Sequence, residues 1–193
     1  MARLGIQKVH VGSKDTNCYV VSCAETREAV VIDPGDDAAK VLEQIAGLSV
    51  RWICFTHAHP GHVGAKDAIR SASAAPTAMH LSDATANLKS ADRYLNDGDS
   101  LPFGRFALEV LATPGHSPGG LSFRVGNHLF TGDTLLPGAV GRMDIPGASP
   151  QQLLLSLHAR LLALPDNTVV YPGHGVNTTI GAERVRNPYL RLR

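Results

Sequence analysis

Apolar and polar positions alternate in short runs along most of the chain. Gln7–Val11, Asn17–Cys23 and Ala29–Ile32 are rich in β-branched residues and read as strands, with Asp33-Pro34-Gly35 as the turn that stops the third. The period then changes. Asp36–Gly47 places apolar Ala39, Val41, Leu42 and Ile45 at helical spacing behind an acidic first turn. Val50–Phe55 is the next strand, and Thr56–His62 a polar loop leading into a helix over Val63–Ser71. Pro76–His80 reads as a strand and Ser82–Lys89 as a helix capped by Ser82. Leu101–Ala112, Leu121–Val125 and Leu129–Thr131 return to strand character. Gln151–Leu164, leucine-rich and preceded by Ser149-Pro150, is the clearest helix. Thr168–Tyr171 is the last strand and Thr178–Arg186 a closing helix.

Strands in both halves, interleaved with helices and broken by no linker or low-complexity tract, predict one α/β domain over residues 1–193. Two sheets packed together and covered outside by helices satisfy this pattern. The 44% apolar and 18% charged content suits a packed globular chain. Lys and Arg number 18 against 17 Asp and Glu, a balance that speaks against nucleic acid or an anionic membrane as partner. No stretch approaches the roughly 18 apolar residues of a membrane span, and the N-terminus lacks a signal-peptide run. The three cysteines form no C-x-x-C. Cys18 and Cys23, five apart in one strand, should face opposite sides, so all three with Cys54 read as buried thiols of a cytoplasmic protein.

The reactive residues share one setting. Phe55-Thr-His57, Ala112-Thr-Pro-Gly-His116, Thr131-Gly-Asp133 and Tyr171-Pro-Gly-His174 each follow a predicted strand. Four such strand ends can meet at one edge of a sandwich, with glycine and proline permitting the tight turns. The densest run is Thr56-His57-Ala58-His59-Pro60-Gly61-His62. His57 and His59 point the same way from a strand end and can pinch one ion, and His62 returns toward them at the start of a helix. This differs from H-E-x-x-H, where one helix presents both histidines. His10, His80, His128 and His158 have no such setting and read as ordinary solvent or helix-surface residues.

The order of these ligands resembles the metallo-β-lactamase superfamily along the whole chain. Thr113-Pro-Gly-His-Ser117, Phe130-Thr-Gly-Asp-Thr134, Gly141-Arg-Met-Asp144, Tyr171-Pro-Gly-His-Gly175 and Asn187-Pro-Tyr-Leu190 look like its short glyoxalase II-like branch. The resemblance implies an αββα sandwich, a first metal on His57, His59 and His116, a second on His62 and His174, and Asp133 bridging both. It places Asp33 behind the ligands, orienting a histidine. One position departs from the pattern: the aspartate of the motif H-x-H-x-D-H falls on Gly61. The second site then has fewer ligands and less negative charge, leaving either one working metal or an impaired pair.

On this resemblance the chain is expected to be a zinc hydrolase, with one or two ions and iron as the other candidate. A metal-bound hydroxide would attack a thioester such as a hydroxyacyl-thiol. Asp133 and His62 are the candidate catalytic residues, Asp133 being the motif carboxylate left to accept a proton. The partner expected is a small acyl substrate. A second reading is a mononuclear iron dioxygenase similar to the persulfide dioxygenases, with His57, His116 and Asp133 as the facial triad. A third is a degenerate member that binds without turnover, on the strength of Gly61. Arg142 and Asp144 read either as a pocket border or as a surface pair. Tyr189 is expected to pack the last helix, Trp52 to lie in the core, and Ser117 to have no nucleophilic role.

Overall fold

The computed structural model describes residues 2–87 and 89–191. Its first sheet runs β1 (Leu4–Val11), β2 (Thr16–Cys23), β3 (Glu28–Ile32), β4 (Ser49–Cys54), β5 (Thr77–Met79) and β6 (Arg93–Tyr94), neighbours in that order. β1 to β3 pair antiparallel, and β3 to β6 parallel. The helices α1 (Ala38–Ile45), α2 (Pro60–Val63), α3 (Lys66–Ser73) and α4 (Leu81–Ala86) lie between these strands in sequence. The second sheet is built from β7 (Ser100–Phe103), β8 (Phe106–Ala112), β9 (Leu121–Val125), β10 (His128–Gly132), β13 (Val169–Pro172) and β14 (Thr178–Thr179), ordered β14-β13-β10-β9-β8-β7. The pair β10 and β13 is parallel and the rest antiparallel. A small hairpin, β11 (Leu135–Leu136) with β12 (Ala139–Val140), follows β10. Helix α5 (Pro150–Ser156) widens into a π-helical turn over Leu157–Leu161, and α6 (Ile180–Arg186) is followed by a 3-10 turn at Pro188–Leu190.

Strand alternation sorts the apolar side chains into three layers. Val20, Val31 and Ile53 meet Val41 and Ile45 of α1 and Ile69 of α3 on the outside of the first sheet. Tyr19, Val21, Val30 and Ile32 turn inward onto Val110, Phe123 and Phe130 of the second sheet. Leu129 and Val170 face outward onto Leu153, Leu157 and Leu161 and onto Ile180 of α6. The result is the expected αββα sandwich of two mixed sheets. Cys18 belongs to the outer layer, and Cys23 abuts Gly104 of the second sheet, so the two thiols do face opposite ways. All three cysteines are free and buried.

Local differences from the sequence reading have local causes. The acidic pair does not open α1: Asp37 sits in the left-handed region at φ 46°, and its carboxylate instead accepts Gly12 N–H and Lys40 Nζ. Ser82 does not cap α4. His80 does, its Nδ1 accepting Ser82 N–H at 3.1 Å, so His80 is not an idle surface histidine. The helix ends at Ala86, short of the expected Lys89, and Leu88 lies outside the described residues. Leu101–Ala112 is not one strand but the hairpin of β7 and β8, turning at Gly104-Arg105. Thr178 and Thr179 pair with β13 before Thr179 caps α6, so that helix starts later than expected. Among the described residues no helix is long and apolar enough to cross a membrane.

Candidate metal centre

Four strand ends converge at one edge of the sandwich. β4 leads into His57 and His59, β8 into His116, β10 into Asp133, and β13 into His174. The helical turn α2 begins at Pro60, as proline at a first helical position favours, and carries Gly61 and His62 back toward the strand ends. Close approach at Gly173 makes this meeting feasible. A Cβ there would collide with Asp133 Oδ1 and lie 2.9 Å from His62 Cε1.

Asp33, held at φ 51° in the turn after β3, organises two of the histidines. Its Oδ1 accepts Thr56 N–H at 2.7 Å, and its Oδ2 accepts Thr56 Oγ1–H at 2.6 Å and faces His62 Nδ1 at 3.0 Å. The Thr56 hydroxyl proton is thereby committed, so Thr56 Oγ1 can only accept from His57 Nδ1, 3.0 Å away. His116 Nδ1 lies 3.0 Å from the Arg142 carbonyl, which can only accept. These partners assign Nδ1–H tautomers and leave the Nε2 lone pairs of His57 and His116 turned inward, the arrangement second-layer hydrogen bonds impose on metal-binding imidazoles. Asp33 thus contacts His62 directly and reaches His57 through Thr56, a relay that sequence reading missed.

Asp133 lies at the centre. Its Oδ1 is 3.6 Å from His62 Nε2, and its Oδ2 is 3.6 Å from His116 Nε2 and 3.5 Å from His174 Nε2. His59 Nδ1 faces His116 Nε2 at 3.1 Å. His57 Nε2 and Asp133 Oδ1 are buried and have no hydrogen-bond partner. Buried acceptors left without a donor are costly, and a cation removes that cost. Ligand atoms fall into the sets His57/His59/His116 and His62/Asp133/His174, each within 4.8 Å. A third set, Asp33/His57/His62, is equally compact, but the Asp33 oxygens are already occupied by Thr56 and His62 hydrogens. The donor atoms therefore fit one or two metal ions, with Asp133 placed between the two sets.

Electrostatics follow the packing. Burial, reinforced by the neighbouring His62, keeps His57 far below the usual imidazole range, and burial with His116 nearby pushes His59 down to about 4. Burial works against charge on His62, but its hydrogen bond to Asp33 and that carboxylate's charge raise it above the usual value. His174 is raised by Asp133 beside it. Burial would raise Asp133, yet His174, His62 and His57 hold it well below the usual carboxylate range. Neutral His57 and His59 near an ionised Asp133 are in the protonation states that metal coordination requires.

A cavity of about 660 Å³ opens above the cluster, walled by Leu136, Val140, Ile145 and Pro146 and bordered by Lys14 and Arg142. Arg142 pairs with Asp144 through two contacts of 3.0 Å at the rim. Tyr189 does not pack the last helix as expected. It is 49% exposed and lines a neighbouring cavity with Arg142 and Asp144, while Leu190 is the buried residue of that turn. Trp52 packs partly against the inter-sheet core, with Arg93 5.5 Å over its ring. Ser117 is buried. Sequence reading also missed Asp83. From α4 its buried carboxylate accepts Ala58 N–H at 2.6 Å, between His57 and His59. A lone aspartate on a short helix carries no spacing signal.

The family model for the metallo-β-lactamase superfamily matches residues 11–174. The chain belongs to that superfamily. Among its relatives, a probable metallo-hydrolase of Bacillus subtilis, YqgX, is 35% identical over 95% of this chain and 96% of its own length. The mitochondrial persulfide dioxygenase ETHE1 of Bos taurus is 37% identical over 92% of this chain and 72% of its own. The solved structure of TTHA1623 in a di-iron-bound form superposes with a TM-score of 0.82 at 40% identity, covering 95% of this chain and 100% of that one. With the His/Asp cluster in place, the superfamily membership makes this a metal-binding enzyme.

Proposed function

We propose that the chain is an iron-dependent dioxygenase of a small persulfide, with His57, His116 and Asp133 as the two-histidine, one-carboxylate ligand set. The observation that carries this is the donor set itself. Asp133 Oδ2 lies 3.6 Å from His116 Nε2, the buried Nε2 of His57 has no partner, and Gly61 adds no carboxylate on α2. The likeness to a persulfide dioxygenase over 92% of the chain supports the same reading. Bound iron would activate dioxygen and offer a position to the substrate sulfur. The chain's own residues do the rest. Asp33 and Thr56 fix the His57 ring, and the Arg142 carbonyl fixes His116. Leu136, Val140 and Ile145 shield the reacting sulfur from bulk water. His62 and His174, both raised above the usual imidazole value, flank the site and can take up protons released as water and persulfide sulfur become sulfite. The balanced reaction takes one persulfide, one dioxygen and one water to one thiol, one sulfite and two protons.

A zinc thioester hydrolase is the second reading, and the set His62/Asp133/His174 favours it because it offers room for a second ion. The name of the Bacillus subtilis relative and the di-iron relative support it as well. Here Gly61 is the lost ligand position, and Asp133 and His62 are the groups nearest an attacking water. Elemental analysis, with oxygen uptake on a persulfide and hydrolysis of a lactoyl-thiol measured side by side, separates the two. Iron with stoichiometric oxygen uptake and sulfite release is expected. Zinc-loaded protein that hydrolyses the thioester, with no oxygen uptake in the iron form, overturns the dioxygenase.

A further inference from the structure

The turn between β1 and β2 carries Lys14 to the mouth of the cavity above the cluster. That turn is fastened on both sides. Gly12 N–H donates to Asp37 Oδ2 at 3.2 Å, Thr16 bridges His174, and Asn17 N–H donates to Gly173 O at 2.8 Å. Lys8, Lys40 and Lys66 each reach an oxygen, of Gly175, Asp37 and Ser90 respectively. Lys14 is exposed and has no such partner among the described residues.

Opposite Lys14 the wall is missing a side chain. A Cβ built on Gly61 would lie 3.4 Å from Thr16 Oγ1 and 3.8 Å from Lys14 Cδ, with nothing else within 4 Å. A notch between Lys14, Thr16 and Gly61 therefore opens into the cavity beside His59 and His62. Charge sharpens the picture. The charged residues bordering the cavity besides the histidines are Lys14, Arg142 and Asp133. Arg142 is matched by Asp144, and Asp133 is enclosed by histidines, so Lys14 is the cavity-bordering cation without an ion pair among the described residues. One ammonium and one hydroxyl match the two oxygens and single charge of a carboxylate, whereas a phosphate dianion would leave a charge unmatched.

We propose that Lys14, with Thr16 Oγ1 and the notch over Gly61, is a carboxylate subsite that selects small substrates bearing a carboxylate a few bonds from the reacting sulfur or acyl carbon. The proposal rests on the metal-centre reading of the cluster and is indifferent to which reaction runs there. It makes Lys14 a specificity residue, outside the ligand set.

The test compares 3-mercaptopropionate with its methyl ester, two thiols of equal reach that differ in one charge, by calorimetric binding to metal-loaded protein. The acid should bind about three- to tenfold tighter than the ester, as an exposed charge-assisted contact allows. That preference should shrink as salt rises. Lys14→Ala should abolish the preference and leave ester affinity unchanged, while Lys14→Arg should keep it. Gly61→Ala should weaken the acid alone by filling the notch. A preference that survives in Lys14→Ala, or equal losses for acid and ester, overturns the subsite. Because binding is read directly, absent oxygen uptake with an intact acid preference removes only the dioxygenase reading. Turnover without any acid preference removes only the subsite.

Discussion

At Gly61 the backbone is helical within α2, so glycine is not needed there for a left-handed conformation. The space beside its Cα accommodates a side chain, with Thr16 Oγ1 3.4 Å from the Cβ position. Gly61→Asp is therefore expected to fold and to raise the metal-to-protein ratio toward two, read by elemental analysis. A ratio that stays unchanged in a folded variant removes Gly61 as a lost ligand position. Asp83 supports the same loop from beneath. Its Oδ2 is the acceptor for Ala58 N–H, and Asp83→Ala leaves that buried donor unsatisfied at a cost of about 1–3 kcal/mol. Chemical denaturation should show that loss together with weaker metal retention, and Asp83→Asn, which keeps an acceptor oxygen, should recover part of both.

Among the elements, α3, β5 and the start of β6 are tied together by Asp92. It accepts Thr77 N–H at 2.9 Å and Thr77 Oγ1–H at 2.8 Å, and pairs with Arg70 at 2.7 Å. The Thr77 amide and hydroxyl, followed by Arg70, hold its carboxyl at about 2, below the ordinary value of about 3.9. A depressed carboxyl stabilises the fold in full above about pH 4, and that contribution is lost as pH falls toward 2. Thermal melts should show Asp92→Asn less stable than the parent at pH 7, with the gap closing as the pH is lowered. A gap constant across that range would deny Asp92 this role. The strand β6 that Asp92 precedes has only Arg93 and Tyr94, too short a run for alternation to announce it.

Over the whole molecule, stability and site assembly share one core. Phe130 is fully buried between the sheets, 5.2 Å from the ring of Tyr19 and 4.9 Å from that of Tyr171. Phe130→Ala should cost about 3–5 kcal/mol in denaturant unfolding, since a cavity there parts two sheets. The Tyr19 hydroxyl donates to Pro172 O at 2.7 Å, so the same cluster braces the strand end that carries His174. Metal should bind the folded state preferentially, because its donors come from four separate strand ends. Removing it with a chelator should lower Tm, and restoring iron or zinc should reverse the change. A Tm indifferent to metal would mean that the cluster holds none tightly.

Much of this was legible in the residues themselves. Strand periodicity around Val20, Val31 and Phe130 located the layers, and the histidines in Thr56–His62, with His116, Asp133 and His174 after strands, located the site. Those signals are local, carried by alternation and by residue type at a turn. What tertiary structure decided is which atoms face which. The Nδ1–H tautomers of His57 and His116 depend on Thr56 and on the Arg142 carbonyl, and neither partner declares itself by spacing. Asp83 beneath Ala58, His80 as a cap, and Lys14 across from Gly61 all arise from contacts between separate elements. A sequence pattern records the period of one element, whereas such contacts exist only once two elements have packed.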